Sequence, residues 1–241
     1  VTDPENIFYL TGYQTLGYWY FQAAVVLEDP DVPPFMVVRQ LEEPNVYART
    51  YLETAFTYQD DEEPIVHLRK ALVEYGLSAK SIGVELRSYF LRNIEFHQLK
   101  KELPDANIKN TSGLVESLRR VKSFIEIKKM IKTGHYTKIG IENALQYARI
   151  GNTENDIAVA FYSAVLGAGG HYMAIPPFVA SGPRSFLPHA TFANRCLEPD
   201  ELTLLEGAAS FERYHAPCMR TIYLGKIEEH TSELQSPYDL V

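Results

Sequence analysis

Short apolar runs broken by turn residues fill the first hundred positions. Ala23-Ala24-Val25-Val26-Leu27 and Phe35-Met36-Val37-Val38 are separated by Asp29-Pro30 and Pro33-Pro34, the pattern of strands in a hairpin or meander. Ile7-Phe8-Tyr9-Leu10 is a further run that leads to a turn at Gly12. Ile65, Leu68, Leu72 and Tyr75 recur on one helical face before Gly76, so residues 65–76 read as a helix. Ile82 to Leu86 reads as a strand, and residues 88–102 as a second helix ended by Pro104.

From about Thr111 the period lengthens. Ser123-Phe124-Ile125-Glu126 has the form of a capping box, in which the Ser oxygen and the Glu carboxylate each satisfy an orphan amide. Phe124, Ile127, Ile131, Ile141, Leu145 and Ala148 follow at helical spacing up to Gly151. Gly134 and Gly140 interrupt that helix at a cost of about 1 kcal/mol each relative to Ala, which predicts a close packing contact or a kink. Thr153 through Asp156 opens another helix, ended by Gly167-Ala168-Gly169-Gly170, and strand-like segments follow at 175–180, 201–205 and 221–224. The pattern predicts an α/β (α+β) protein with one unit over 1–113 and another over 114–227.

Composition changes this picture little until the ends are considered. The 241 residues are 46% hydrophobic and 22% charged, with no apolar run near the roughly 20 residues of a membrane span. Two cysteines, Cys196 and Cys218, neither staple a secreted scaffold nor form a zinc-type pair; a cytoplasmic location is expected. The net charge of −8 argues against nucleic-acid binding. The chain lacks an initiator Met, and its opening, Val1-Thr2-Asp3-Pro4, reads as the end of a strand running into a turn. Glu228-Glu229-His230-Thr231-Ser232-Glu233-Leu234-Gln235-Ser236 resembles a translated sequencing-adapter oligonucleotide, so 228–241 reads as a non-native tail. That tail carries four carboxylates and no Lys or Arg, which leaves the remainder at −4. An internal fragment of a longer enzyme is expected, inactive by itself and prone to aggregate through unpaired sheet edges.

Candidate chemistry crowds into residues 171–221. Pro188-His189-Ala190 lies in a polar, turn-rich stretch suited to a cleft. Glu206 follows Leu202-Thr203-Leu204-Leu205, where a carboxylate is costly without a cationic or hydrogen-bonding partner; Arg220 is one such partner. Arg213, Tyr214, His215 and Arg220 place two guanidiniums, a phenol and an imidazole within eight positions. Each His also has the ordinary reading of a satisfied core or surface imidazole. The aromatic cluster Tyr18-Trp19-Tyr20-Phe21 reads as core or subunit interface in preference to a substrate cage. Gly167-Ala168-Gly169-Gly170 closes a helix and lacks the Lys-Ser/Thr ending of a phosphate loop.

Taken together, the motifs resemble the creatinase and proline-dipeptidase family, with its "pita-bread" catalytic domain, and within it the ectoine hydrolases. The N-terminal part carries Asp3-Pro4-x-Asn6-Ile7-x-Tyr9-Leu10-Thr11-Gly12-Tyr13 and Val38-Arg39-Gln40. The second part carries Lys122-Ser123-x-x-Glu126-Ile127, Gly170-x-Tyr172-x-Ala174-Ile175, Pro188-His189 and Glu206. It then carries Arg213-Tyr214-His215-x-Pro217 and Arg220-Thr221-x-Tyr223-Leu224-Gly225-Lys226. The resemblance implies a creatinase-type N-terminal α/β domain followed by the first half of a pita-bread domain.

Metallopeptidases of this family hold two metal ions with five side chains, of which two are aspartates. At the second aspartate position, three residues before Arg220-Thr221, this chain has Pro217; the first falls at Glu206 or Leu205. The resemblance therefore implies a metal-independent branch without cofactor, acting on a small molecule with an amidine-type carbon. Such a carbon is already cationic, so an imidazole and a carboxylate can replace Lewis-acid polarisation. On this reading His189 is the proton shuttle and Glu206 the amidinium anchor. His215 and Tyr214 would orient water or stabilise the intermediate, while Arg220 would bind carboxylate or brace Glu206. Met219 stands where creatinase has a glutamate, which makes creatine itself a poorer substrate. A homodimer is implied, with Tyr20, Gln22 or Arg39 reaching the partner's substrate. The alternatives are a manganese-dependent Xaa-Pro dipeptidase or aminopeptidase, and a non-catalytic pita-bread binding protein.

Overall fold

A computed structural model describes residues 1–225. The proposed tail at 228–241 lies outside the described residues. The chain divides into two compact units, with the boundary between Val121 and Lys122.

In the first unit, α1 (Pro4–Thr11) starts at Asp3, whose side chain accepts from the Glu5 amide, and ends at Gly12 with a left-handed φ of 80°. The run Ile7–Leu10 is thus helical, with Ile7 buried. Strands β1 (Ala23–Val25) and β2 (Phe35–Arg39) form the expected antiparallel pair. After α2 (Glu43–Arg49), β3 (Ala55–Tyr58) adds to β2 in parallel. Helix α3 (Pro64–Glu74) lays Ile65, Leu68, Ala71 and Leu72 against β2 and β3. Burying each large side chain of this kind is worth about 1.5–3 kcal/mol.

Next, β4 (Ser81–Val84) pairs in parallel with β5 (Asn107–Asn110) through α4 (Asn93–Glu102). α4 begins five residues later than its periodicity predicts. The Arg92 amide donates to Glu95 Oε2 at 2.7 Å, which fixes the start. Helix α5 (Leu114–Arg120) packs against α1, which carries the first unit eight residues beyond the expected boundary at 113.

The second unit opens with α6 (Phe124–Tyr147), and its capping box is present: Ser123 Oγ accepts from the Glu126 amide, and Glu126 accepts from the Ser123 amide. Its buried face is Thr133, Tyr136, Thr137, Gly140, Ile141 and Ala144. Phe124 and Ile131, expected on the core stripe, are 71% and 68% exposed, because at 100° per residue they lie on the far side of Thr133. Helix α7 (Glu154–Gly167) packs on α6 at Gly140, where an added Cβ would sit 2.6 Å from Val165 Cγ2. The close contact predicted from the glycine is therefore present.

Three antiparallel strands complete the unit in the order β6 (Phe178–Ser181), β7 (Leu202–Phe211), β8 (Tyr214–Tyr223). β7 and β8 form one long hairpin rather than two short strands with an irregular segment between. Its two-residue turn, Glu212-Arg213, has φ of 47° and 63°, the left-handed pair that suits strand twist. Thr137 Oγ1 stitches the helices to the hairpin, donating to Ala216 O at 2.7 Å and accepting from the Ala209 amide at 3.0 Å. No helix among the described residues is long and apolar enough to cross a membrane.

Candidate active site

Strand register decides which side chains can meet. Leu205, Gly207 and Ala209 face the helices, and an added Cβ on Gly207 would lie 2.4 Å from Phe161 Cζ. That close approach of α7 fixes the strand and turns Glu206 to the other face. Glu206 is flanked there by Phe178 on β6 and Met219 on β8. His189 reaches the same row from the loop after β6, its ring 5.7 Å from that of Phe178. Phe178 is thus a neighbour of both, through its ring for His189 and through the strand register for Glu206.

The loop carrying His189 is clamped from below. Glu154, at the start of α7, is wholly buried. It accepts from the Ser181 amide and Ser181 Oγ, both at 2.8 Å, and from the Ala193 amide at 2.9 Å. It also pairs with the Arg184 guanidinium, which donates through its other arm to Thr191 O at 2.7 Å. One carboxylate therefore holds both ends of the 181–193 segment, together with Arg184 near its start. His189 itself has φ 57°, a left-handed conformation that a non-glycine residue adopts at a cost of about 1–3 kcal/mol.

Other expected site residues are placed differently. Arg220 opposes Leu205, on the helix-facing side of the sheet, so it does not brace Glu206; its Nη1 donates to Met219 O at 2.7 Å. Tyr214 opposes Phe211 on that same side, and its hydroxyl donates to Glu126 Oε1 at 2.9 Å. This is a structural bond between hairpin and α6, not a position beside Glu206. It also helps hold the Glu126 carboxyl below its ordinary range, after the larger effect of the Ser123 amide. His215 does share the face of Glu206, opposite Ser210, but four residues further along β7, about 13 Å at strand rise.

Arg213 clamps the hairpin turn. Its Nη2 donates to Ser210 Oγ at 2.7 Å and to Tyr172 O, and the guanidinium stacks 3.7 Å over the Tyr172 ring. In the first unit, Gln22 is buried. Arg39 is paired with Asp60 and sits 4.2 Å over the Tyr20 ring. The sequence reading missed Glu154 and Phe178. The capping pattern Thr153-x-x-Asp156 marks the neighbourhood of Glu154, but nothing local signals partners 27 to 39 positions away.

The profile of the Creatinase/Prolidase N-terminal domain matches residues 1–121, and that of metallopeptidase family M24 matches 128–241. The chain belongs to the creatinase/prolidase family. An uncharacterized hydrolase/peptidase of Sinorhizobium fredii is 30% identical over 98% of this chain and 63% of its own length. The ectoine hydrolase of Halomonas elongata is 27% identical over 94% of this chain and 61% of its own. Among solved structures, the X-Pro aminopeptidase of Thermotoga maritima superposes with a TM-score of 0.80 at 20% identity, over 97% of this chain and 61% of that one. The prolidase of Pyrococcus horikoshii gives 0.78 at 22%, over 96% and 62%. The chain thus spans a little over three fifths of each of these relatives, and its fold is that of the pita-bread enzymes.

Against the two-metal arrangement of the family's peptidases, the described residues fit poorly. Pro217 opposes Ala208 and so lies on the face of Glu206, two positions along the strand, where a second carboxylate would be needed. Its ring offers no donor atom.

Proposed function

We propose that the whole protein is a hydrolase that cleaves a non-peptide C–N bond of a cationic, amidine-type small molecule, such as ectoine, without a bound metal. The observation that carries this reading is the pairing of one carboxylate, Glu206, with a donorless Pro217 on the same sheet face. A peptide carbonyl gains its electrophilicity from a Lewis acid, whereas an amidinium carbon brings its own positive charge. The likeness to an ectoine hydrolase agrees with that chemistry.

Glu206 holds the amidinium by charge and hydrogen bonding. His189, whose ring packs beside that of Phe178, removes a proton from water as the oxygen bonds to the amidine carbon. The same imidazole returns the proton to the departing nitrogen as the C–N bond breaks, which leaves an amide and an amine. The Glu154 clamp keeps the imidazole in place, so that little orientational freedom is lost during reaction.

The test is turnover of ectoine and of an Xaa-Pro dipeptide by the full-length enzyme and its variants. His189→Ala and Glu206→Gln each lower ectoine turnover by at least about a hundredfold, and the dipeptide is not cleaved. Dipeptide cleavage that depends on manganese favours the second reading, an Xaa-Pro peptidase. That reading is supported by the fold of the solved relatives and by the oxygen donors of Glu206.

A further inference from the structure

The first unit contains a cavity of about 450 Å³ that the proposed hydrolysis does not use. Tyr18 makes edge-on contacts with both Trp19, at 5.6 Å, and Phe90, at 5.7 Å, so three rings form one continuous side. Trp19 and Tyr89, also on the lining, are 74% and 95% exposed. The polar part of the lining is acidic: Asp60, Glu62, Glu63 and Glu95 against the single guanidinium of Arg92.

These groups are not equally committed. Glu95 is buried and doubly bonded to Arg92, Asp60 is paired with Arg39, and Glu62 accepts from the Gln59 amide and meets His67. Glu63, at the start of α3, caps no amide with its side chain and is engaged only at longer range, by the charge of the Arg92 guanidinium. One face of the Tyr20 ring already carries a cation, since the Arg39 guanidinium lies 4.2 Å above it. Tyr20, on this lining, thus already makes a cation–π contact.

We infer that this cavity binds a small organic cation, of the quaternary ammonium or amidinium class, between the Trp19 and Tyr89 rings and the Glu63 carboxylate. The negative faces of aromatic rings attract such diffuse, weakly hydrated charges. Hard metal ions instead require several oxygen ligands, and the carboxylates here are mostly engaged. Trp19 and Tyr20 are exposed and open onto this cavity, so neither is a core residue. The inference concerns the first unit and is independent of the roles given to His189 and Glu206.

The chain has one tryptophan, Trp19, which makes the site self-reporting. Tetramethylammonium chloride is titrated into the full chain at constant ionic strength, with Trp19 emission and saturation transfer to the methyl protons as readouts. A saturable emission change and transfer are expected, with neither from the neutral isostere tert-butanol. Glu63→Gln and Tyr89→Leu each weaken binding by about two- to fivefold, with the unfolding midpoint recorded to show that both variants are folded. A non-saturating response shared by tert-butanol, absence of transfer in the unsubstituted chain, or affinity unchanged in both folded variants overturns the inference.

Discussion

Replacing Glu154 by Ala should be among the most damaging single changes in the second unit. The side chain is wholly buried and accepts from two backbone amides, one hydroxyl and one guanidinium. Its loss strands the Ser181 and Ala193 amides, each costing about 1–3 kcal/mol when left without a partner. It also leaves the partly buried Arg184 charge without its counter-ion, and breaking such a pair from one side costs about 3–5 kcal/mol. These penalties overlap, because water entering the vacated space satisfies some of the donors. A net loss of about 3–5 kcal/mol follows, a large share of the roughly 5–15 kcal/mol that holds a domain together. The assay is denaturant unfolding of the full chain followed by circular dichroism, with Glu154→Gln, Arg184→Gln and the double variant completing a cycle. The two single variants should be coupled by more than about 1 kcal/mol. Protease cleavage within 182–192 should also accelerate in Glu154→Ala. A loss below about 1 kcal/mol, with the loop as resistant as before, would refute the claim that this carboxylate anchors the His189 segment.

Three other outcomes are expected. Gly140→Ala should destabilise the second unit by about 1–2 kcal/mol in thermal unfolding, because the new methyl meets Val165 and Phe161 and the strain exceeds the gain in helix propensity; a stabilised variant would contradict the packing. Tyr214→Phe should cost about 1 kcal/mol through loss of the Glu126 bond while leaving turnover of the full-length enzyme unchanged, and a drop in turnover at equal stability would restore a catalytic role. Asp3 is pushed up to about 7, first by burial and then by Glu5 and Glu85, from an ordinary value near 3.8. A raised carboxyl favours the folded state below about pH 4, and that contribution is lost as pH rises through about 7. Asp3→Asn should therefore flatten the fall in melting temperature between those limits, and an identical slope in the two proteins would contradict the assignment.

The parts of this fold that were readable in the sequence are those fixed by nearby residues. The β1–β2 pair is announced by its apolar runs and by Asp29-Pro30, the start of α6 by Ser123 and Glu126, and the α6–α7 contact by Gly140. The β7–β8 hairpin was harder to see. Gly207, Ala208 and Ala209 blur the alternation along β7, and Pro217 argues against a strand. β8 is at the edge of the described sheet, where a residue without an amide proton is tolerated. Once the hairpin closes, its register assigns faces that spacing alone could not. Arg220 and Tyr214 go to the helix side, while Glu206, Pro217 and His215 share the other. The outward Phe124 and Ile131 show the same limit, since helical periodicity marks a stripe without saying what covers it.

The claim that positive charge on the substrate replaces a metal pair is tested most directly by measuring metal content and turnover on one sample of the full-length protein. After exhaustive dialysis against chelator, the account predicts manganese, zinc and cobalt far below one equivalent per subunit, with ectoine turnover undiminished. Two tightly held manganese ions per subunit, with activity that disappears on their removal and returns on their replacement, would contradict it.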